Sequence, residues 1–355
     1  MAFEIDFMAV GEGERSGDAI ALRFGNLSGP RTEQTICVID GGTKDSGEAL
    51  VDHINLYYGT NSVNFVFNTH PDSDHASGLT VVLEKMDCGT LVMHRPWEHS
   101  EHIHHLFDDG RVTPNSLAGR MERNLTAAHD LEKIAFDMGI QIVEPFQGAT
   151  NDAGTIRVLG PSIDYYRSLL CDFRDMPELA AESFYTEILK SLMDRAISWV
   201  DETLEVETLT DPPVNSVSAE NNSSCIILFT IDGHKLLFTG DAGSDALILA
   251  SDYAQSIGIA LDDLYFLHVP HHGSKRNMGP KVLNRIKATT AFISAGKEAE
   301  PKHPSKRVTN ALVRRGATIC VTAGNGLLKR SPEHPLRAGW SAAPVVPFYW
   351  KVEEN

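Results

Sequence analysis

Apolar residues along this chain gather in short, β-prone runs punctuated by turn residues, and the pattern predicts alternating strands and helices. Strands are expected over 3–9, 18–24, 35–40 and 63–68, with a helix over 42–58 between the last two. A helix opening near Ala76 and continuing through 80–86 leads to a strand at 89–93. The rhythm then breaks after His94-Arg95-Pro96-Trp97. Helical periodicity with capping-like starts, Thr113-Pro114 and Asp175, marks 114–138 and 177–200, with strands at 141–144 and 155–159 between them. Residues 201–211 are acidic and run into Pro212-Pro213, which reads as a surface loop. Strands resume at 224–231 and 234–239, joined by the hairpin signal Asp232-Gly233. Further strands are expected at 264–269, 290–293 and 318–322, with a helix near 305–315. Two strand-rich halves with interleaved helices imply a layered α/β fold.

Composition narrows the class. A chain of 355 residues, 42% hydrophobic, suffices for one large core domain or two modest ones. No run approaches the roughly 18–20 apolar residues that span a bilayer. The N-terminus alternates apolar and acidic residues from Met1 to Phe7 and lacks the basic region of a signal peptide. Cysteines 37, 88, 171, 225 and 320 are scattered and form no CxxC pair, as expected of reduced packing residues in a cytoplasmic protein. The net charge is −17, unevenly spread. From His271 to Trp340 there are 14 Lys and Arg against three acids, a net of +11, which is a hint of an anionic partner.

The chemistry concentrates in Thr69-His70-Pro71-Asp72-Ser73-Asp74-His75, placed where the Val63–Phe67 run stops and a helix opens. Carboxylates are seldom buried unless paired or metal-bound, so so dense a group of imidazoles and carboxylates is poorly explained as packing. Nitrogen and oxygen donors at this density suit zinc or manganese. By contrast His99, His102, His104 and His105 lie among Glu98, Glu101, Asp108 and Asp109 and read as an exposed helix face.

His70-x-Asp72-x-Asp74-His75 resembles the His-x-His-x-Asp-His signature of the metallo-β-lactamase superfamily, with Asp72 at the second His position. That variant is similar to the nuclease-like domain of the ComEC competence proteins. Four more segments fit in order: Val10-Gly11 with Gly17-Asp18-Ala19-Ile20, then Val38-Ile39-Asp40-Gly41-Gly42, Phe238-Thr239-Gly240-Asp241, and Val269-Pro270-His271-His272-Gly273-Ser274. The resemblance implies a single αββα sandwich domain over 1–355, with the 96–214 stretch a mainly helical insertion.

It also implies a site. His70 and Asp72 would hold one divalent ion, Asp74 and His75 a second, and Asp241 would bridge them; His271 or His272 would complete the second position. Asp40 would orient a ligand imidazole from behind. Where many members place another His, this chain has Glu220-Asn221-Asn222-Ser223-Ser224. The first position is thus oxygen-rich and weakly held, which shifts preference toward manganese or magnesium. A water whose proton is lost near neutral pH would be the nucleophile, with Asp74 as proton acceptor. Asn222, Ser223, Ser224, Ser274, Lys275 and Lys302 are candidate phosphate donors, and His303, in an element similar to one late in ComEC-type domains, is a candidate acid for the leaving group.

These readings favour a metal-dependent phosphodiesterase or nuclease acting on single-stranded nucleic acid or a nucleotide, with no membrane role. The same scaffold would serve a hydrolase of a small ester, lactone or phosphorylcholine-type substrate. A binding protein with a degenerate metal site fits less well, because the ligand set is nearly complete.

Overall fold

The computed structural model describes residues 1–10, 16–179, 199–297 and 303–353. Alternation in β1 (Ala2–Phe7) turns Phe3, Ile5 and Phe7 to one face and Glu4 and Asp6 to the other. Around it, β2 (Ala19–Gly25), β3 (Gln34–Gly41), β4 (Ser62–Phe67), β5 (Asp87–Val92), β6 (Gln141–Val143) and β14 (Leu327–Arg330) form a seven-stranded sheet in the order β14-β1-β2-β3-β4-β5-β6. A six-stranded sheet follows the order β13-β12-β11-β10-β9-β7, from β7 (Ile156–Gly160), β9 (Ile226–Ile231), β10 (His234–Phe238), β11 (Leu264–His268), β12 (Ala288–Ile293) and β13 (Thr318–Val321). β8 (Trp199–Asp201) and β15 (Lys351–Glu353) pair as a separate ribbon.

The sheets pack face to face through an aromatic core. Phe7 meets Phe266 and Phe292 edge-on, at centroid distances of 6.0 and 5.5 Å, with Ile5, Ile20, Ile39, Phe229 and Phe238 buried around them. The outer face of the first sheet is covered by α1 (Lys44–His53), α2 (Ser73–Lys85) and the helices Pro114–Asn124 and Thr126–Met138. The outer face of the second is covered by helices Ser244–Ser256, Pro280–Arg285 and Lys306–Arg314. The result is the αββα sandwich.

Several expectations shift. The pattern over 114–138 is two helices, because Leu125 leaves helical geometry at φ −114°, ψ 45° and is buried at the break. The 96–214 stretch is more than an appended helical unit: it supplies β6 to the edge of one sheet and β7 to the edge of the other. Most of the helix expected at 177–200 lies outside the described residues, and its last two positions, Trp199 and Val200, are strand because they pair with β15. The helix Ser244–Ser256 and the strand β14 had no counterpart in the sequence reading. His99 is buried, not exposed: it hydrogen-bonds Glu144 at 3.0 Å and accepts from Arg167, whereas His102 and His105 are exposed as expected. All five cysteines are free and buried. No helix among the described residues is long and apolar enough to cross a membrane.

Candidate metal centre

Parallel pairing aligns the carboxyl ends of β3 and β4 in one sheet and of β10 and β11 in the other. Such ends are where open α/β sheets place ligands. Asp40 closes β3, the loop after β4 carries His70 and Asp72, Asp241 follows β10, and His271 and His272 follow β11. Asp74 and His75 sit in the first turn of α2. These residues meet at the rim between the sheets.

Asp241 is the shared element. Its Oδ1 lies 3.6 Å from His75 Nε2, while its Oδ2 lies 3.9 Å from His70 Nε2 and 3.6 Å from His271 Nδ1. Asp72 Oδ2 is 3.7 Å from His70 Nε2. Asp74, His75 and His272 offer ligand atoms all within 4.8 Å of one another. Donors about 2.1 Å from a tetrahedral ion stand about 3.4 Å apart, so these spacings suit two adjacent cation positions. His70 Nε2, His75 Nε2 and Asp241 Oδ1 are buried with no hydrogen-bond partner, a cost that a bound cation would remove. The residues present therefore fit a two-metal group.

Tautomers are set from behind. His75 Nδ1 is 2.9 Å from Asp40 Oδ2, and His272 Nδ1 is 2.8 Å from the Ser294 carbonyl oxygen, so each donates there and turns Nε2 toward the centre. Asp40 also accepts from the Thr69 N–H at 2.8 Å and the Thr69 hydroxyl at 2.6 Å, and that hydroxyl lies 3.1 Å from His70 Nδ1. A single buried carboxylate thus steadies both imidazoles of the loop. Burial alone would lower the pKa of His75, but Asp241 and Asp40 raise it well above the usual value. The field that holds a proton there would equally attract a divalent ion.

His271, His272 and Gly273 all adopt positive φ, at 46°, 56° and 79°. This left-handed turn lets adjacent histidines serve one centre, which an extended segment would forbid. His272 is buried beside Asp74 and His75; His271 is more open and lies against Asp241 Oδ2. His303 lies at the mouth, its ring 5.7 Å from that of His271. Lys275 is half-buried nearby, and burial lowers its pKa. Lys302 lies outside the described residues.

The serines do not face outward. Ser223 donates to the Glu220 carbonyl at 2.6 Å, Ser224 Oγ accepts the Asp241 N–H at 3.1 Å, and both are buried. Asn222 and Ser274 are buried as well, with Asn222 donating to Val217 and Ser274 accepting from Arg276. These four are buried in the loops under the site and hydrogen-bond to their neighbours there. Sequence reasoning missed Asn221, whose amide is 3.4 Å from Asp241 Oδ2 and 2.9 Å from His271 Nδ1. It also passed over Arg174, which pairs with Asp72, and His268, 3.1 Å from the buried Asp18. Neither lies within a motif segment, so no local signal marked them.

Residues 31–160 match the family model described as the metallo-beta-lactamase superfamily. Over that stretch the chain is similar to that superfamily. Among curated proteins it is similar to ComE operon protein 3 of Bacillus subtilis, 28% identical over 118 residues, covering 33% of this chain and 15% of that one. It is also similar to Recombination protein 2 of Haemophilus influenzae, 28% identical over 146 residues, covering 41% and 17%. The chain therefore spans only a small share of either relative's length. Among solved structures, a metallo hydrolase of Ignicoccus hospitalis superposes with a TM-score of 0.42 at 10% identity, covering 92% of this chain and 98% of that one. The superfamily's members are generally metallohydrolases, and the paired donor sets at the rim suit that chemistry.

Four arginines of the C-terminal third are held in ion pairs with acids. Arg314 pairs with Glu202 at 3.3 Å, Arg315 with Glu207 at 2.9 Å, Arg337 with Asp6 at 2.7 Å, and Arg285 with Asp252. Lys275 and Arg276 follow the histidine turn of the centre directly in the chain.

Asp40→Asn tests the support directly, since asparagine tolerates the φ of 54° at this position. Metal affinity, measured by competition with a chelator, should fall about 10–100-fold with little change in thermal midpoint. Unchanged affinity would remove the role assigned to Asp40.

Proposed function

We propose that the protein is a metal-dependent phosphodiesterase, acting on a nucleic acid or a nucleotide. The observation that carries this reading is the pair of donor sets sharing Asp241, because adjacent cation positions suit displacement at phosphorus, where attacking and leaving oxygens both need neutralising. Asp72 in the second signature position and the likeness to ComE operon protein 3 and Recombination protein 2 support it. Bound zinc or manganese would supply Lewis-acid polarisation and lower the pKa of a nearby water.

The chain's own groups divide the remaining work. Asp74, beside His75 and His272, orients the attacking water and takes its proton. Lys275 pairs with a phosphate oxygen, and His303 returns a proton to the departing alkoxide.

The chelated and reconstituted protein should be assayed on bis-p-nitrophenyl phosphate, cyclic nucleotides, RNA and single-stranded DNA, with manganese or zinc. Cleavage of the small diester and at least one nucleic-acid substrate is expected. Changing the exposed Arg276 to Glu should raise KM for an oligonucleotide and leave the small diester nearly unaffected, as phosphate neutralisation scales with the number of contacts. No diester cleavage with any metal, alongside turnover of a lactone or phosphorylcholine ester, would replace this reading with the small-ester hydrolase.

A further inference from the structure

Arg174 reaches the centre from outside every motif. Its backbone N–H and its Nε both donate to Glu220 Oε1, at 2.7 and 2.9 Å, and Glu220 is buried. That double anchor leaves one edge of the guanidinium free, and Nη2 donates to Asp72 Oδ1. The other oxygen of Asp72 faces His70 Nε2 at 3.7 Å. One carboxylate is therefore divided between a fixed arginine and the donors of the first cation position: His70, Asp72, Asp241 Oδ2 and His271. Among the described residues, Asp74, His75 and His272 at the second position carry no such arginine; the ion pairs of His75 there are with Asp18, Asp40 and Asp241.

We infer that Arg174 sets the metal stoichiometry of the centre by serving as a resident cation at the first position. A divalent ion placed there must share Asp72 with a guanidinium it cannot displace without taking the Nε donor away from buried Glu220. A charge-assisted hydrogen bond of this kind is worth about one order of magnitude in affinity. The second position fills first and tightly, and the first fills only at higher metal concentration. The anchoring through Glu220 distinguishes this from a mobile surface arginine, whose pairing would yield to an arriving ion at small cost.

The inference rests on the two-metal reading but not on the identity of the substrate, and its test uses no substrate. The full chain, stripped with chelator, is titrated calorimetrically with manganese alone, with spin coupling between neighbouring manganese ions read in parallel. The wild type should bind one ion tightly and a second about tenfold or more weaker. Arg174→Gln should tighten the second ion about tenfold and bring the coupled signal up at lower metal, and Arg174→Lys, whose single ammonium cannot hold Glu220 and Asp72 together as the guanidinium does, should fall between the two. A thermal melt of each variant checks that Glu220 has not unravelled the loop, and the lysine variant keeps the comparison if the glutamine variant is lost. Two equally tight ions in the wild type, or an unchanged second affinity in Arg174→Gln, would overturn the role of Arg174. Failure of the wild type to bind any manganese or zinc would overturn the two-metal reading itself, and the inference with it.

Discussion

Asp241→Ala should abolish hydrolytic activity, by at least about 10²–10³-fold, and strip the protein of both metal ions while the fold survives. Among the described residues, Asp241 is the one whose two oxygens face both donor sets, 3.6 Å from His75 Nε2 on one side and 3.9 Å from His70 Nε2 on the other. Burial would raise its pKa, but His271, His75, His272 and His70 outweigh that and hold the carboxyl far below the usual range. It is therefore ionised at any working pH. Its placement depends on Gly240, at φ 51°, where a Cβ would stand 2.7 Å from Thr69 Oγ1. Losing Asp241 leaves the imidazoles without their common counter-charge. His75→Ala, by contrast, opens one coordination position and should lower bound metal only in part. Elemental analysis separates the two, with circular dichroism to confirm folding. An Asp241→Ala protein that keeps two equivalents of metal would refute the bridging assignment.

Gly78→Ala should be the most damaging small substitution outside the centre. A Cβ on Gly78 would meet the Gly41 carbonyl oxygen at 1.9 Å and the Thr43 carbonyl oxygen at 2.5 Å. The contact is reciprocal, since a Cβ on Gly41 would meet the Leu79 nitrogen at 2.3 Å and the Gly78 carbonyl carbon at 2.5 Å. All of these obstacles are backbone, so no side chain can swing aside. Relief requires α2 to move off the turn after β3. Because α2 carries Asp74 and His75 and Asp40 lies at the end of β3 just before that turn, the movement would also part His75 Nδ1 from Asp40. Destabilisation of about 3 kcal/mol is expected by chemical denaturation, at the upper end for overpacking, together with weakened metal binding. Gly119→Ala is the control: it lies within the helix Pro114–Asn124, where the added methyl meets only the flexible end of Arg123 at 3.3 Å. It should be neutral or slightly stabilising through reduced backbone entropy. Equal midpoints for the two variants would show that the α2 contact tolerates a methyl group.

Much of the centre was legible in the sequence because its donors fall in short segments at strand ends. His70, Asp72, Asp74 and His75 lie within six positions, and the runs before them mark the strands that deliver them. What the pattern could not reveal was direction. Ser223 and Ser224 look like phosphate donors in a polar loop, yet the loop turns them inward to hold Glu220 and Asp241. His271 and His272 could not be chosen between, since the choice depended on backbone dihedrals that a left-handed turn resolves by bringing both to the rim.

The acids of β1 show the same division. Local alternation determined that Phe3, Ile5 and Phe7 share a face, and it determined the strand. It placed Glu4 and Asp6 on the opposite face without saying that this face is buried too. There Arg337, from more than three hundred residues away, pairs with both, and Tyr58 donates to Asp6 at 2.6 Å. β14 is likewise a strand because β1 offers it an edge, since Leu327-Leu328-Lys329-Arg330 has no alternation of its own. Periodicity, turn residues and the ligand types belong to the local chain, because they follow from bonds and rotamers within a few residues. The partners of Asp72, Asp6 and Asp241 belong to the tertiary structure, because Coulomb and hydrogen-bond terms act on distance in space, and separation along the chain carries no record of it.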